Sequence, residues 1–172
     1  GAVLAVGVDL VDNEERLWLS RIEPFTGAVE PLFQGKLGEA ATGCAYDPIS
    51  DRLYVSGFGP RPGSLASDAR IWAFTAAGEL LWTRSWGRPV SKPAFTGKPA
   101  DIGHAVTVTT SGEPVLVGES RLNKEDDDPW ERWAFANRYD HDGTLSAGRS
   151  WTSVDAADGA GAYAVAPDLN DR

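Results

Sequence analysis

The segment GELLWTRSW at 78–86 returns 65 residues later as GTLSAGRSW at 143–151, with the glycine, arginine, serine and last tryptophan in step. A chain that repeats at this interval builds its core by stacking like units, because a unit this small cannot bury its apolar face alone. A second pair supports the first: GCAYDPISDRLYVSG (43–57) against GHAVTVTTSGEPVLVG (103–118). The opening glycines lie 60 apart and the closing ones 61, which implies one inserted residue. An earlier, truncated copy is legible as AVLAVG (2–7), LWLSRIEPFTG (17–27) and VEPLFQG (29–35), and a further start as AYAVAPD (162–168).

Each copy reads as four short strands, apolar or alternating, bounded by turn residues. The first copy supplies the second, third and fourth strands at 2–7, 16–23 and 28–34. The next supplies all four at 43–48, 52–57, 70–75 and 79–86, and the third at 103–109, 114–118, 132–139 and 144–151. Only a first strand, 162–167, remains for a fourth copy. Asp47-Pro48, Ser111-Gly112, Ala77-Gly78 and Asp142-Gly143 give the turns suitable chemistry. The expected fold is all-β: about three four-stranded antiparallel β-propeller blades, part of a larger or oligomeric ring. The blades divide as 1–42 (lacking its first strand), 43–102 and 103–161, with 162–172 opening another. Three blades are too few to close a ring, so the chain is expected not to be a dispersed monomer, its missing blades coming from the same protein or another copy.

The pattern G-x-A-x-x-x-x-x-(x)-G-x-x-x-V-x-G, then a third strand, then G-x-L-x-W, whose parts stand as GHAVTVTTSGEPVLVG (103–118) and, in the preceding copy, GELLW (78–82), resembles the bacterial seven-bladed-propeller-type (SBBP-like) repeat of secreted and surface proteins. AFTAAGELLW (73–82) is also similar to the tryptophan-docking repeat of quinoprotein dehydrogenases, departing from it at Thr75, where that repeat has Asp. These resemblances imply propeller blades and a secreted or cell-surface bacterial location. No cofactor is expected, since the quinoprotein site uses a cysteine pair and this chain has one cysteine.

The repeat exceeds the usual blade length through its connections, 58–69, 119–131 and 87–101, and loops are where propellers bind. Trp130 stands in the acidic run 124–131, where with Asp126, Asp127 and Asp128 it could stack on and hydrogen-bond a sugar; Arg61 lies in the other long connection. The acidic run reads as a solvated loop rather than a Ca²⁺ cage, and Asp140-His141-Asp142-Gly143 lacks the distal glutamate of a calcium loop, so no metal is expected. Trp86 and Trp151 are expected at equivalent, largely buried positions. Cys44 reads as a small buried residue, with His104 in its slot one copy later.

A net charge of −9 gives no basic face for nucleic acid or anionic membranes, and no apolar run reaches the length of a membrane span. The absence of methionine, even at position 1, suggests a processed product or a piece of a longer chain. No catalytic constellation is left over once the repeat is assigned. The reading is therefore a non-catalytic binding or scaffold module for a protein or glycan ligand. The alternatives are a propeller hydrolase acting on glycans and an oligomeric building block.

Overall fold

The computed structural model describes residues 3–63, 66–88, 100–122, 131–152 and 161–166. They form eleven strands and, among the described residues, no helix. The first sheet is the meander β1 (Val3–Val11), β2 (Glu14–Ile22) and β3 (Val29–Leu37). The second is β4 (Ala40–Asp47), β5 (Arg52–Pro60), β6 (Ser67–Thr75) and β7 (Leu80–Trp86). The third is β8 (Ala100–Val108), β9 (Pro114–Leu122), β10 (Glu131–Tyr139) and β11 (Leu145–Trp151). Within each sheet neighbours are antiparallel; the second and third touch in one parallel pair, Ser67 with Ala100. The chain is thus all-β, built of three antiparallel sheets of three or four strands.

Alternation along each strand makes the sheets two-sided, and stacking buries both sides of the second sheet. Leu17 and Leu19 of β2 meet Leu53, Val55, Trp72 and Phe74 of the second sheet. The opposite face of that sheet offers Tyr54, Ala69, Ile71 and Ala73 to Val106, Leu116, Phe135 and Tyr139 of the third. One strand, β6, therefore feeds two cores, its odd and even positions facing opposite ways. Each fully buried large side chain here contributes roughly 1.5–3 kcal/mol relative to exposure.

The contacts between sheets recur. Phe33 of β3 packs edge-on against Phe74 at 5.0 Å, and Trp86 of β7 lies 4.1 Å from Phe135. Gly78 and Gly143 occupy the same place in the hairpins before β7 and β11, both with positive φ (88° and 79°). Each hairpin is closed by the same bond, Thr75 N–H to Glu79 O and Asp140 N–H to Thr144 O, both 2.9 Å. A Cβ at either glycine would strike the preceding sheet, Leu32 in one case and Trp82 in the other. Glycine is needed here for its backbone and for the close approach.

Several expectations are corrected. The connections 58–69 and 119–131 are shorter than the sequence suggests, because the ladders continue through Gly59–Asp68, Pro60–Ser67 and Leu122–Glu131. What remains is 61–66 and 123–130. Strands β4 and β8 begin at Ala40 and Ala100, three residues earlier than expected. Both carry a bulge, at Thr42 and at His104, so His104 corresponds to Thr42 and not to Cys44. Cys44 is exposed rather than buried, since β4 borders its sheet. Trp151 shares the register of Trp86, opposite Ala134 as Trp86 is opposite Ala69, but it is 46% exposed and Trp86 is only half-buried. Residues 161–166 carry no strand, and among the described residues no strand ladders with them; residue 167 lies outside the described residues.

Candidate functional site

The end of the third sheet from which 123–130 emerges gathers charged side chains on both faces. β8 and β9 pair there as Asp101–Ser120 and Ile102–Glu119, so Asp101 and Glu119 face opposite ways.

Asp101 faces the second sheet and is buried. Arg61, in the turn between β5 and β6, reaches it with Nη2 at 2.8 Å and grips Asp68 with Nε at 2.6 Å. The Arg61 backbone N–H donates to Ala66 O at 2.9 Å, which fixes the turn. The Arg88 backbone N–H also donates to Asp101 Oδ2, at 3.2 Å, while its guanidinium lies 4.1 Å over the Trp133 ring. Burial pushes the Asp101 carboxyl up to about 6; the Ser120 hydroxyl and the Arg61 charge offset part of that rise. The corresponding position one sheet earlier is Glu39, two residues before Ala41 as Asp101 is two before Gly103, and it is held by Arg70. A buried acid ahead of each bulge, clamped by an arginine of the second sheet, is therefore a recurrent device.

On the other face Glu119 is also buried. The Arg121 guanidinium bonds Oε1, the Tyr163 hydroxyl donates to Oε2 at 3.1 Å, and His104 Nε2 lies 3.3 Å from Oε1. Burial works against ionisation, but Arg121, Tyr163 and His104 together hold this carboxyl below its ordinary value. The Tyr163 ring rests on His104 at 4.7 Å, and Ala162 N–H donates to Gly118 O at 3.3 Å. Sequence reading missed this cluster: its members spread from 104 to 163, and the bulge that turns His104 toward Glu119 leaves no mark in the residue pattern.

Of the residues named from sequence, Arg61 sits in this charged edge, committed to two carboxylates. Trp130, Asp126, Asp127 and Asp128 lie outside the described residues. The Asp140 carboxylate is occupied by its own turn, accepting from Asp142 N–H at 3.0 Å and Thr144 N–H at 2.7 Å. Among the described residues no three His, Cys, Asp or Glu side chains gather as a metal site would require.

The chain is an all-β protein of stacked antiparallel sheets with a polar edge. Neither a protein-family model nor a curated protein matches it. Among solved structures it is similar to that of the periplasmic gluconolactonase PpgL of Pseudomonas aeruginosa, with 11% identity and a TM-score of 0.41. The match covers 84% of this chain and 52% of the other, so the chain spans about half the length of that structure.

Proposed function

We propose that the chain is a non-catalytic β-propeller repeat module, similar to SBBP-type repeats, serving as a binding or scaffold domain of a secreted or cell-surface bacterial protein. The observation that carries this reading is that the buried carboxylates of the charged edge are already engaged. Asp101 is spent on Arg61 between the second and third sheets, and Glu119 is spent on Arg121 and Tyr163 on the opposite face. A glycan hydrolase needs two carboxyl groups flanking one bond, roughly 5–9 Å apart across a shared space. Asp68 and Asp101 do share one space, but Arg61 fills it and pairs with both, and Glu119 lies on the opposite face, which favours binding over hydrolysis.

The ligand, a protein or a glycan, is proposed to meet the edge where 61–66 and 123–130 emerge, with Trp130 stacking on it and Asp126, Asp127, Asp128 and Arg61 supplying polar contacts. Further blades complete the ring, from the same protein or from another copy. The test is a glycan array followed by titration of the best ligand against the Trp130→Ala variant. A loss of about tenfold or more is expected. Undiminished binding would remove the proposed loop site, and release of reducing sugar by the unaltered protein would move the assignment to a hydrolase.

A further inference from the structure

Three strands of the third sheet place polar side chains in one row at the junction with the second. β8 and β9 pair there as Asp101 with Ser120, and β9 and β10 as Ser120 with Trp133, so all three side chains share the face turned toward the second sheet. Arg88, two residues past the end of β7, spans the row. Its backbone N–H reaches Asp101 Oδ2 at 3.2 Å, and its guanidinium lies 4.1 Å over the Trp133 ring at the other end. Gly87 closes the Asp101 end, since a Cβ there would strike Asp68, Arg61 and Asp101. The four residues Arg88, Asp101, Ser120 and Trp133 therefore border one small volume inside the junction.

Each of the four brings a polar atom that is buried and, among the described residues, has no hydrogen-bond partner: Arg88 Nη1, Asp101 Oδ1, Ser120 Oγ and Trp133 Nε1. The other Asp101 oxygen is already taken, by Arg61 Nη2 at 2.8 Å. Burial raises the Asp101 pKa and the nearby Ser120 hydroxyl offsets part of the rise, yet the two side chains complete no hydrogen bond with each other. A buried polar group left unmet is costly, and nearly all such groups in folded proteins find a partner in protein or water. Four of them around one space call for a common partner.

The chemistry of the four atoms selects that partner. The indole and guanidinium N–H groups only donate, the carboxylate oxygen only accepts, and the hydroxyl does either. A metal cation would meet the Arg88 charge and find no lone pair on the indole nitrogen. An anion would meet Asp101. Water accepts and donates, and a buried water is held by two to four polar groups. We infer that one internal water is bound between Arg88, Asp101, Ser120 and Trp133, accepting from Trp133 Nε1 and Arg88 Nη1 and donating to Asp101 Oδ1 and Ser120 Oγ. It ties the chain leaving β7 to β8, β9 and β10 at once, and so fastens the second sheet to the third beside the Arg61 turn.

The test is magnetic resonance of the unaltered chain at neutral pH. The Trp133 indole N–H, assigned through its own backbone amide, should show a cross-peak to water. Its sign should be opposite in laboratory-frame and rotating-frame Overhauser spectra, as for a water that tumbles with the protein and not for proton exchange. Oxygen-17 relaxation dispersion should then count one long-lived water fewer in Ser120→Val, which removes the hydroxyl and puts a methyl toward the same place. If Ser120→Val does not fold, Trp133→Phe takes its place: it keeps a ring beneath Arg88, removes the N–H, and should shorten the residence time of that water. Absence of the cross-peak in the unaltered chain, or unchanged dispersion in the folded variant, overturns the inference. A cross-peak abolished by added chloride or acetate overturns it as well, because the place then belongs to an anion.

Discussion

Trp86 and Trp151 stand at one position of successive sheets, opposite Ala69 and Ala134, yet Trp86 lies 4.1 Å from Phe135 and Trp151 faces outward. What separates them is the neighbour, not the local sequence, since both end the tripeptide Arg-Ser-Trp.

Truncating the two should therefore have unequal effects. Trp86→Ala removes half-buried packing between two sheets and is expected to cost about 2–3 kcal/mol. Trp151→Ala, measured under dilute monomeric conditions, should cost less than about 1 kcal/mol. Urea unfolding of both variants checks the pair; equal losses would mean that Trp86 does not hold the second sheet to the third.

Gly27 and Gly143 separate backbone strain from packing. Both have positive φ, so alanine at either costs about 1 kcal/mol. Only at Gly143 does the new Cβ also meet the Trp82 ring. Gly143→Ala should be the more destabilising by a further 1–3 kcal/mol or about that range, from overpacking, as read by thermal unfolding of the two variants side by side.

Asp101 makes stability depend on pH in the direction opposite to an ordinary paired carboxylate. Unfolded, it titrates near 3.9 by general expectation; folded, its pKa is about 6. Below about pH 4 the group is protonated in both states, and its contribution is fully present. That contribution is lost as pH rises through about 6, by at most about 3 kcal/mol. The stability of Asp101→Asn relative to the unaltered chain should therefore improve between pH 4 and 7. Parallel profiles from denaturant titrations at several pH values would contradict this.

Arg61 is the cation of that cluster, and its loss leaves Asp68 and Asp101 facing each other without it. Arg61→Met is expected to cost about 3–5 kcal/mol near neutral pH, the usual penalty for orphaning a buried charge. Adding Asp101→Asn should restore part of the loss. A double-mutant cycle with no coupling would show that the three groups do not act together.

How far the fold was legible follows from which interactions leave a trace in side-chain order. Leu17 and Leu19, Ile71 and Ala73, Leu116 and Gly118 alternate as strands require, and Gly78 and Gly143 mark their hairpins, so the strand inventory could be read directly. Strand ends could not: Pro60–Ser67 and Ala100–Arg121 pair through backbone groups that every residue possesses. The offset of two residues in aligning Gly43 with Gly103 has the same origin, since the bulges at Thr42 and His104 arise from the ladder. Arg61 was chosen for its loop, and only the fold discloses the two carboxylates that hold it. Cys44 was misjudged because the sequence does not say that β4 borders its sheet.

Where the hairpin before β11 meets the second sheet, the polar contacts are asymmetric in kind. Arg52 and Trp82 both donate to the His141 carbonyl, at 2.5 and 2.8 Å, and Arg84 donates to the carbonyls of Asp142 and Gly143, each at 2.8 Å. The donors are specific side chains, but the acceptors are main-chain oxygens, which substitution does not remove. Half of this coupling is thus insulated from mutational drift: a change of identity at 141 or 142 leaves in place the carbonyl that the tryptophan and arginines find. Duplicated units joined in this way can diverge in one member without a compensating change in its neighbour, leaving descendants that share a docking geometry and very few letters.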